Sequence, residues 1–180
     1  MSFVMDRILN VDDENEEFYI SFTLKTQWFD PRLVFNNLKK REDLNVLSPV
    51  HYIAIWTPTL IFYNTKSKQE STLEGSIVKV IPNTNFTFET ADMSSTHNAY
   101  LFKGSENRLE ISQAYNIKFI CNYDMMPYPF DTQECYVDMV LTAIQDNFCT
   151  LNDKNFSYTG KLNLRQYFIR RTFKFIFSLF

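Results

Sequence analysis

The sequence lacks any apolar run long enough to cross a lipid bilayer as a helix. No stretch reaches the roughly 18 consecutive apolar residues that a spanning helix needs. The first residues, Met1–Arg7, also lack the apolar core of a secretion signal. We therefore expect neither a transmembrane segment nor a signal peptide within these 180 residues.

Strong charge of one sign and catalytic motifs are also missing. The formal net charge is only -3, which gives no basic surface, so a nucleic-acid partner is not expected. The two histidines, His51 and His97, have no spacing that would place them together as metal ligands, so the sequence identifies no metal-binding residues, and no cofactor is expected. Because no triad, metalloprotease or phosphate-loop pattern occurs, the sequence does not indicate an enzyme.

The chain is rich in aromatic residues, and in several segments its apolar and polar residues alternate. It has 3 Gly and 6 Pro, which argues against a linker, whereas 18 Phe and 10 Tyr favour strands. Hydrophobic residues make up 45% of the chain, enough for the core of one domain. In Phe18–Trp28 the alternation predicts a half-buried strand. Its inner face would carry Phe18, Ile20, Phe22, Leu24 and Trp28.

Similar apolar runs predict several further strands. They lie at Val4–Val11, Ile53–Trp56, Leu60–Tyr63, Ile77–Ile81, Asn85–Thr90, Leu109–Cys121, Cys135–Ile144 and Leu162–Ile169. The segment Val34–Arg41 instead favours a short helix. Many short strands separated by turns are typical of an all-β sandwich.

Two cysteines bracket the most informative segment, C-N-Y-D-M-M-P-Y-P-F-D-T-Q-E-C. Thirteen residues separate Cys121 from Cys135, and the loop contains a Tyr-Pro-Phe-Asp core. Trp28–Leu33 reads W-x-D-x-R-L, and Trp56–Asn64 reads W-x-P-T-x-x-x-Y-N, with Thr where Asp is usual. Together with the strand pattern of Gly104–Cys121, these elements resemble, in order, the Cys-loop family of pentameric ligand-gated ion channels.

This resemblance implies the family's extracellular ligand-binding domain. Its fold would be an immunoglobulin-like twisted β-sandwich of about nine to ten strands, over residues 1–169 and incomplete at both ends. Residues 170–180 would form an atypical apolar and basic tail, and the family's transmembrane domain is not expected in this chain. Trp56–Asn64 and the Tyr-Pro-Phe-Asp core look most like arthropod anion-channel subunits of the proton- or zinc-gated type, which implies a chloride-selective receptor.

The resemblance also implies that Cys121 and Cys135 form a disulfide, which needs an oxidising compartment. In the family this loop lies against the membrane domain and helps couple ligand binding to pore opening. The residues that would carry that role here are Tyr128, Pro129, Phe130 and Asp131. The acidic turn containing Asp13 and Glu14 is expected at the same end of the domain. The alternatives are a disulfide that only stabilises the fold and a turn that is only solvated.

In the family, aromatic side chains from two neighbouring subunits enclose the ligand, often a cationic amine. Tyr63 occupies one aromatic position, whereas threonine or isoleucine occupies others. The predicted ligand-binding residues are Tyr63, Thr23, Ile111, Gln113, Thr142 and Ile144. Because this pocket is poor in rings, protons or zinc fit it better than an amine. Trp28, Asp30 and Arg32 are interpreted as a core tryptophan beside an ion pair.

The expected partners are other receptor subunits, in a homo- or heteropentamer on the extracellular side of the cell membrane. Asn85-Phe86-Thr87 and Asn155-Phe156-Ser157 are glycosylation sequons, so Asn85 and Asn155 are candidate carriers of glycans. One alternative is a soluble, secreted, pore-less ligand-binding protein of the same fold. A second is an unrelated β-sandwich interaction module, such as a lectin or adhesion domain.

Overall fold

A computed structural model of the chain describes residues 1–66, 72–83, 101–128, 130–142, 152 and 155–161. These residues contain nine strands, a short 3-10 helix at Glu42–Leu44 and a short α-helix, α1, at Pro49–Ile53. The strands are β1 (Ser2–Asp12), β2 (Glu17–Trp28), β3 (Val34–Asn36), β4 (Leu60–Phe62), β5 (Thr72–Ile81), β6 (Leu101–Lys103), β7 (Arg108–Ile120), β8 (Met139–Leu141) and β9 (Asn155–Tyr158). Among the described residues, no helix has the length and apolar composition to cross a membrane.

The strands form one large sheet and two small ones. The large sheet has the order β5-β7-β2-β1-β9, and β1 pairs in parallel with β9, with Ser2 opposite Asn155. The two small sheets are antiparallel pairs, β3 with β6 and β4 with β8. The parallel edge pair was not apparent from the sequence, because the segment that forms β9 has only four residues.

The alternation that predicts β2 is confirmed by its burial. Phe18, Ile20, Phe22 and Leu24 are buried, and the residues between them are partly exposed. Branched and aromatic side chains pack well on one face of a pleated strand. The pattern changes at Thr26, which is also buried, and at Trp28, which is only partly buried.

The chain divides into two compact units, each with its own hydrophobic cluster. The first unit consists of the described residues among Met1–Leu24, Pro58–Ser76 and Gln113–Phe180. In its cluster, Phe22 of β2 stacks on Phe3, with ring centroids 4.6 Å apart, and meets Phe62 of β4 edge to face at 5.6 Å. The part of the large sheet that belongs to this unit therefore packs against the β4–β8 pair, which confirms the predicted all-β sandwich.

The second unit consists of the described residues among Lys25–Thr57 and Ile77–Ser112. Its cluster joins strands β3, β5, β6 and β7 and contains Phe35, Leu38, Val78, Val80, Phe102, Leu109 and Ile111. Trp28 packs against this cluster and meets Trp56 edge to face at 6.2 Å.

Two predicted elements are wrong. Val34–Arg41 is not a helix: Val34–Asn36 pairs with β6 and buries Phe35, and Asn37 then turns the chain with a φ of 55°. Ile53–Trp56 is not a strand, because α1 occupies Pro49–Ile53. Proline at the first turn of a helix is favourable, since its ring fixes φ and the missing N–H would have no helical partner there.

Other predicted segments differ in length or cannot be compared. The strand expected at Cys135–Ile144 is shortened to Met139–Leu141. Asn85–Thr90, Leu162–Ile169 and the 170–180 tail lie outside the described residues.

Candidate functional site

The predicted disulfide is present at the end of β7. The Cα atoms of Cys121 and Cys135 lie 5.2 Å apart, and their sulfurs are bonded. Cys121 is buried in the first cluster, whereas Cys135 is exposed. The covalent bond therefore anchors an exposed loop to the core of the first unit.

Gln133 holds the interior of this loop together. Its Oε1 accepts the Asp124 N–H at 2.9 Å, and its Nε2 donates to the Asp124 carbonyl oxygen at 2.8 Å and to the Asp131 carboxylate. The Phe130 N–H donates to the Pro127 carbonyl oxygen at 2.9 Å, which closes a turn at the tip. These bonds give the loop a defined shape between its two cysteines.

The tip of the loop presents large apolar side chains to solvent. Met126 is 95% exposed, Phe130 is 90% exposed and Tyr128 is 71% exposed. Several large apolar side chains left exposed in one short loop suit a surface that contacts another protein or a membrane. Of the four predicted coupling residues in this loop, Tyr128 and Phe130 lie at the tip, Asp131 binds Gln133, and Pro129 lies outside the described residues.

The turn between β1 and β2 is hydrogen-bonded to the base of the same loop. The Cys121 N–H donates to the Glu16 carbonyl oxygen at 2.8 Å, and the Tyr123 hydroxyl donates to the Glu17 carbonyl oxygen at 2.9 Å. Asp13 and Glu14 are exposed on this turn. The structure thus brings together the two segments that the sequence assigns to coupling.

Asp12 shapes that turn. Its carboxylate accepts hydrogen bonds from the Asn15 side chain at 2.9 Å and from the Asn15 N–H at 3.0 Å. These bonds to the Asn15 side chain and backbone lower the pKa of Asp12, and Lys66 and Lys118 act in the same direction. Aspartate is common in turns because its short side chain can accept hydrogen bonds from the chain just ahead of it.

Asn64 is a residue of this region whose role the sequence reasoning missed. Its side chain bonds the Ile120, Tyr136 and Asp138 backbones, and so reaches both ends of the disulfide loop. The one feature of the sequence that could have indicated this role is its position as the last residue of the W-x-P-T-x-x-x-Y-N pattern. Gln133 was missed too, because nothing in the spacing of the loop distinguishes it from its polar neighbours.

The described ligand-binding candidates lie on, or directly after, different strands. Tyr63 is 58% exposed, and its N–H donates to the Asp138 carbonyl oxygen at 3.0 Å. The Thr142 N–H bonds the Thr59 carbonyl oxygen at 3.2 Å, and the Thr23 hydroxyl donates to Asp6 at 3.1 Å.

Two further candidates lie on β7. Gln113 is partly exposed, whereas Ile111 is 1% exposed within the second cluster and offers no surface to a ligand. Ile144 lies outside the described residues.

The Asp30–Arg32 ion pair expected beside Trp28 is present. Arg32 donates from Nε and Nη2 to the two Asp30 oxygens at 2.8 Å and 2.7 Å. Asp30 is buried while Arg32 is mostly exposed. The side-chain bond to Arg32 lowers the pKa of Asp30 despite burial, which acts in the opposite direction.

The described residues do not assemble a metal site. Within them, no group of three or more His, Cys, Asp or Glu side chains could hold an ion. His51 is exposed, with Nδ1 3.0 Å from the Ser48 hydroxyl, and His97 lies outside the described residues. Of the two sequons, Asn155 is exposed on β9, and Asn85 also lies outside the described residues.

Comparison with known proteins identifies the family and a distant set of relatives. The family described as "Neurotransmitter-gated ion-channel ligand binding domain" matches residues 1–176. Glycine receptor beta subunits of Rattus norvegicus, Mus musculus and Homo sapiens are each 24% identical over 130 residues. That match covers 72% of this chain but only 22% of each relative's length.

Proposed function

Because the chain belongs to the neurotransmitter-gated ion-channel ligand-binding domain family, we propose that it is the extracellular domain of a channel subunit that assembles as a pentamer. In that receptor, the Cys121–Cys135 loop and the β1–β2 turn couple ligand binding to opening of the pore. One observation carries the coupling role: a hydrogen-bonded pair of loops that ends in the exposed apolar side chains of Met126, Tyr128 and Phe130. A surface of this kind suits contact with a membrane domain.

The ligand is proposed to be small and to be sensed near Tyr63. The candidate positions Thr23 and Thr142 supply hydroxyl groups rather than rings, which weakens the case for a cationic amine. Glycine is a natural probe because the relatives are named glycine receptor subunits. Protons and zinc remain candidates from the resemblance to arthropod anion-channel subunits, and the same resemblance supports chloride as the permeant ion.

Current recording tests this proposal. The complete subunit that carries this chain would be expressed in oocytes and exposed in turn to glycine, to zinc ions and to steps of external pH. We expect one of these probes to evoke a current whose reversal potential shifts when external chloride is replaced by a large anion. A subunit that reaches the surface and passes no current with any probe contradicts the proposal. A reversal potential that follows sodium contradicts only the chloride selectivity.

The same preparation addresses glycosylation and the alternative of a secreted, pore-less binder. Treatment with a glycosidase should increase the gel mobility of the wild type, and Asn155→Gln should reduce that increase if Asn155 carries a glycan. Recovery of all the protein from the medium, with none in the membrane fraction, would favour the pore-less binder.

A further inference from the structure

We infer that Asn64 is a positioning residue that fixes where the disulfide loop lies and links that loop to Tyr63. This inference rests on the proposed coupling function. The loop begins after Ile120 and ends before Tyr136. Ile120 on one side and residues 136–138 on the other are here called its two stems. A disulfide ties the stems to each other, but it does not by itself fix their position relative to the neighbouring strands.

Asn64 makes bonds to both stems. Its Nδ2 donates to the Tyr136 carbonyl oxygen at 2.7 Å and, more weakly, to the Ile120 carbonyl oxygen at 3.4 Å. Its Oδ1 accepts the Asp138 N–H at 2.9 Å. Its backbone carbonyl oxygen also accepts the Ile120 N–H at 2.7 Å.

The chemistry of these bonds calls for a short side chain that both donates and accepts. Asparagine has an amide NH₂ and a carbonyl oxygen on one planar group, whereas aspartate at neutral pH has no donor. Asn64 is partly buried, so water could replace only some of the hydrogen bonds that its partners would lose if its side chain were substituted. An aspartate here would keep the bond from Asp138 and lose the bonds to the carbonyl oxygens of both stems.

The position of Asn64 in the chain connects the loop to two other features. Tyr63, the preceding residue, donates its N–H to the Asp138 carbonyl oxygen, so Tyr63 and the Asn64 side chain bond the same stem residue. Two residues later, Lys66 forms an ion pair with Glu17 at 2.8 Å, where β2 begins. A displacement at Tyr63 would therefore act directly on the stems and on the end of the β1–β2 turn.

Native-state hydrogen exchange of the chain, with its disulfide oxidised, tests this role. In Asn64→Ala we expect the Asp138 and Tyr63 amides to exchange about tenfold faster or more, the scale expected when bonded partners are left unsatisfied. The core amides of Ile20 and Phe22 should change much less. Asn64→Asp should protect the Asp138 amide better than Asn64→Ala does, because it keeps the acceptor.

Asn122→Ala is the matched control, since Asn122 is an exposed asparagine in the same loop, and it should leave all four amides unchanged. Unchanged exchange at Asp138 and Tyr63 in Asn64→Ala would overturn the inference. So would equal acceleration at the stems and in the core, which would show a general loss of stability. If Asn64→Ala does not fold, the ratio of stem to core exchange in Asn64→Asp decides the matter in the same way. The measurement needs neither ligand nor pore, so its failure is distinct from a failure to record current.

Discussion

Gly104 is a position where the fold leaves no room for a side chain. A Cβ atom there would overlap the Asp30 carbonyl oxygen and lie 3.0 Å from the Leu33 carbonyl oxygen. The Gly104 N–H also donates to Leu33 at 2.9 Å, so the close approach is part of a backbone bond. Backbone atoms cannot move aside as a flexible side chain can.

We therefore predict that Gly104→Ala lowers the free energy of unfolding, by about 1–3 kcal/mol, as overpacking does elsewhere. Gly75→Ala is the control, because nothing lies within 4 Å of a Cβ at that exposed strand position. It should be neutral or slightly stabilising, since alanine is favoured over glycine inside a strand. Urea denaturation of both variants measures the difference, and equal stability of the two would show that the chain can relax around Gly104.

The Asp30 carboxylate should make the stability of the fold depend on pH. Its pKa is lowered in the folded chain from an ordinary value of 3.8, chiefly by the bond from Arg32. A carboxylate with a lowered folded-state pKa stabilises the fold above its unfolded pKa and loses that contribution as pH falls through the folded value. Because Arg32 is mostly exposed, solvent weakens the effect.

We expect Asp30→Asn to be less stable than the wild type at pH 7 by about 1–2 kcal/mol, and the difference to shrink below about pH 4. Asp43→Asn is the control, since Asp43 forms an exposed ion pair with Arg41 at the same sequence separation. Its effect should stay within about 0.5 kcal/mol. Denaturation midpoints at several pH values test this, and a constant difference between Asp30→Asn and the wild type would contradict it.

At the scale of elements, the disulfide loop combines a covalent bond with a defined interior. Replacing both cysteines, as Cys121→Ser with Cys135→Ser, should lower the free energy of unfolding by about 3 kcal/mol, because the unfolded chain regains the entropy of an open loop. Gln133→Ala keeps the disulfide and loses the bonds to Asp124, so it should cost less. Denaturation under non-reducing conditions ranks the two variants, and the opposite order would contradict the expected dominance of the covalent bond.

The sequence predicts elements well where burial alternates and poorly where short contacts decide. The period-two pattern identifies β2 and β7 nearly to their ends. In β2 the row of buried apolar side chains is continuous from Phe18 to Leu24. In β7 the row is interrupted at Gln113 and Tyr115, which are only partly buried. β3 was missed because its three residues form a strand only through pairing with β6, in which Phe35 lies opposite Phe102, 67 residues further along the chain. Asn45 fixes the shape of the 39–45 segment, because its side chain accepts the Lys39 N–H and donates to the Lys39 carbonyl oxygen. Periodicity in the sequence cannot reveal such a contact.

At the candidate site, the sequence predicts the disulfide and the proximity of the β1–β2 turn through the resemblance of its motifs. Local chemistry could not predict the bonds of Asn64, because they join residues 56 to 74 positions apart. Nor could it show that Ile111 is enclosed in a core cluster. The burial of a side chain depends on which elements pack against its strand, and the sequence of that strand alone does not show this.

At the scale of the whole molecule, each of the two compact units has its own hydrophobic cluster. The disulfide loop, the β1–β2 turn, Tyr63 and Asn64 all belong to the first unit. The proposed path from ligand to loop can therefore be built from contacts within one unit. The second unit contains the Asp30–Arg32 pair and Gly104, which we interpret as determinants of stability rather than of coupling.

The most direct test of coupling is the maximal ligand-evoked current of the complete receptor carrying Phe130→Ser. Phe130 is 90% exposed, so the substitution should leave folding and surface expression unchanged. We predict at least a roughly fivefold loss of current at saturating ligand, within the range of typical allosteric coupling energies. Ile53→Ser, on a side chain 81% exposed in α1, should leave the current unchanged. A Phe130→Ser receptor that reaches the surface and opens as the wild type does would contradict the role assigned to this loop.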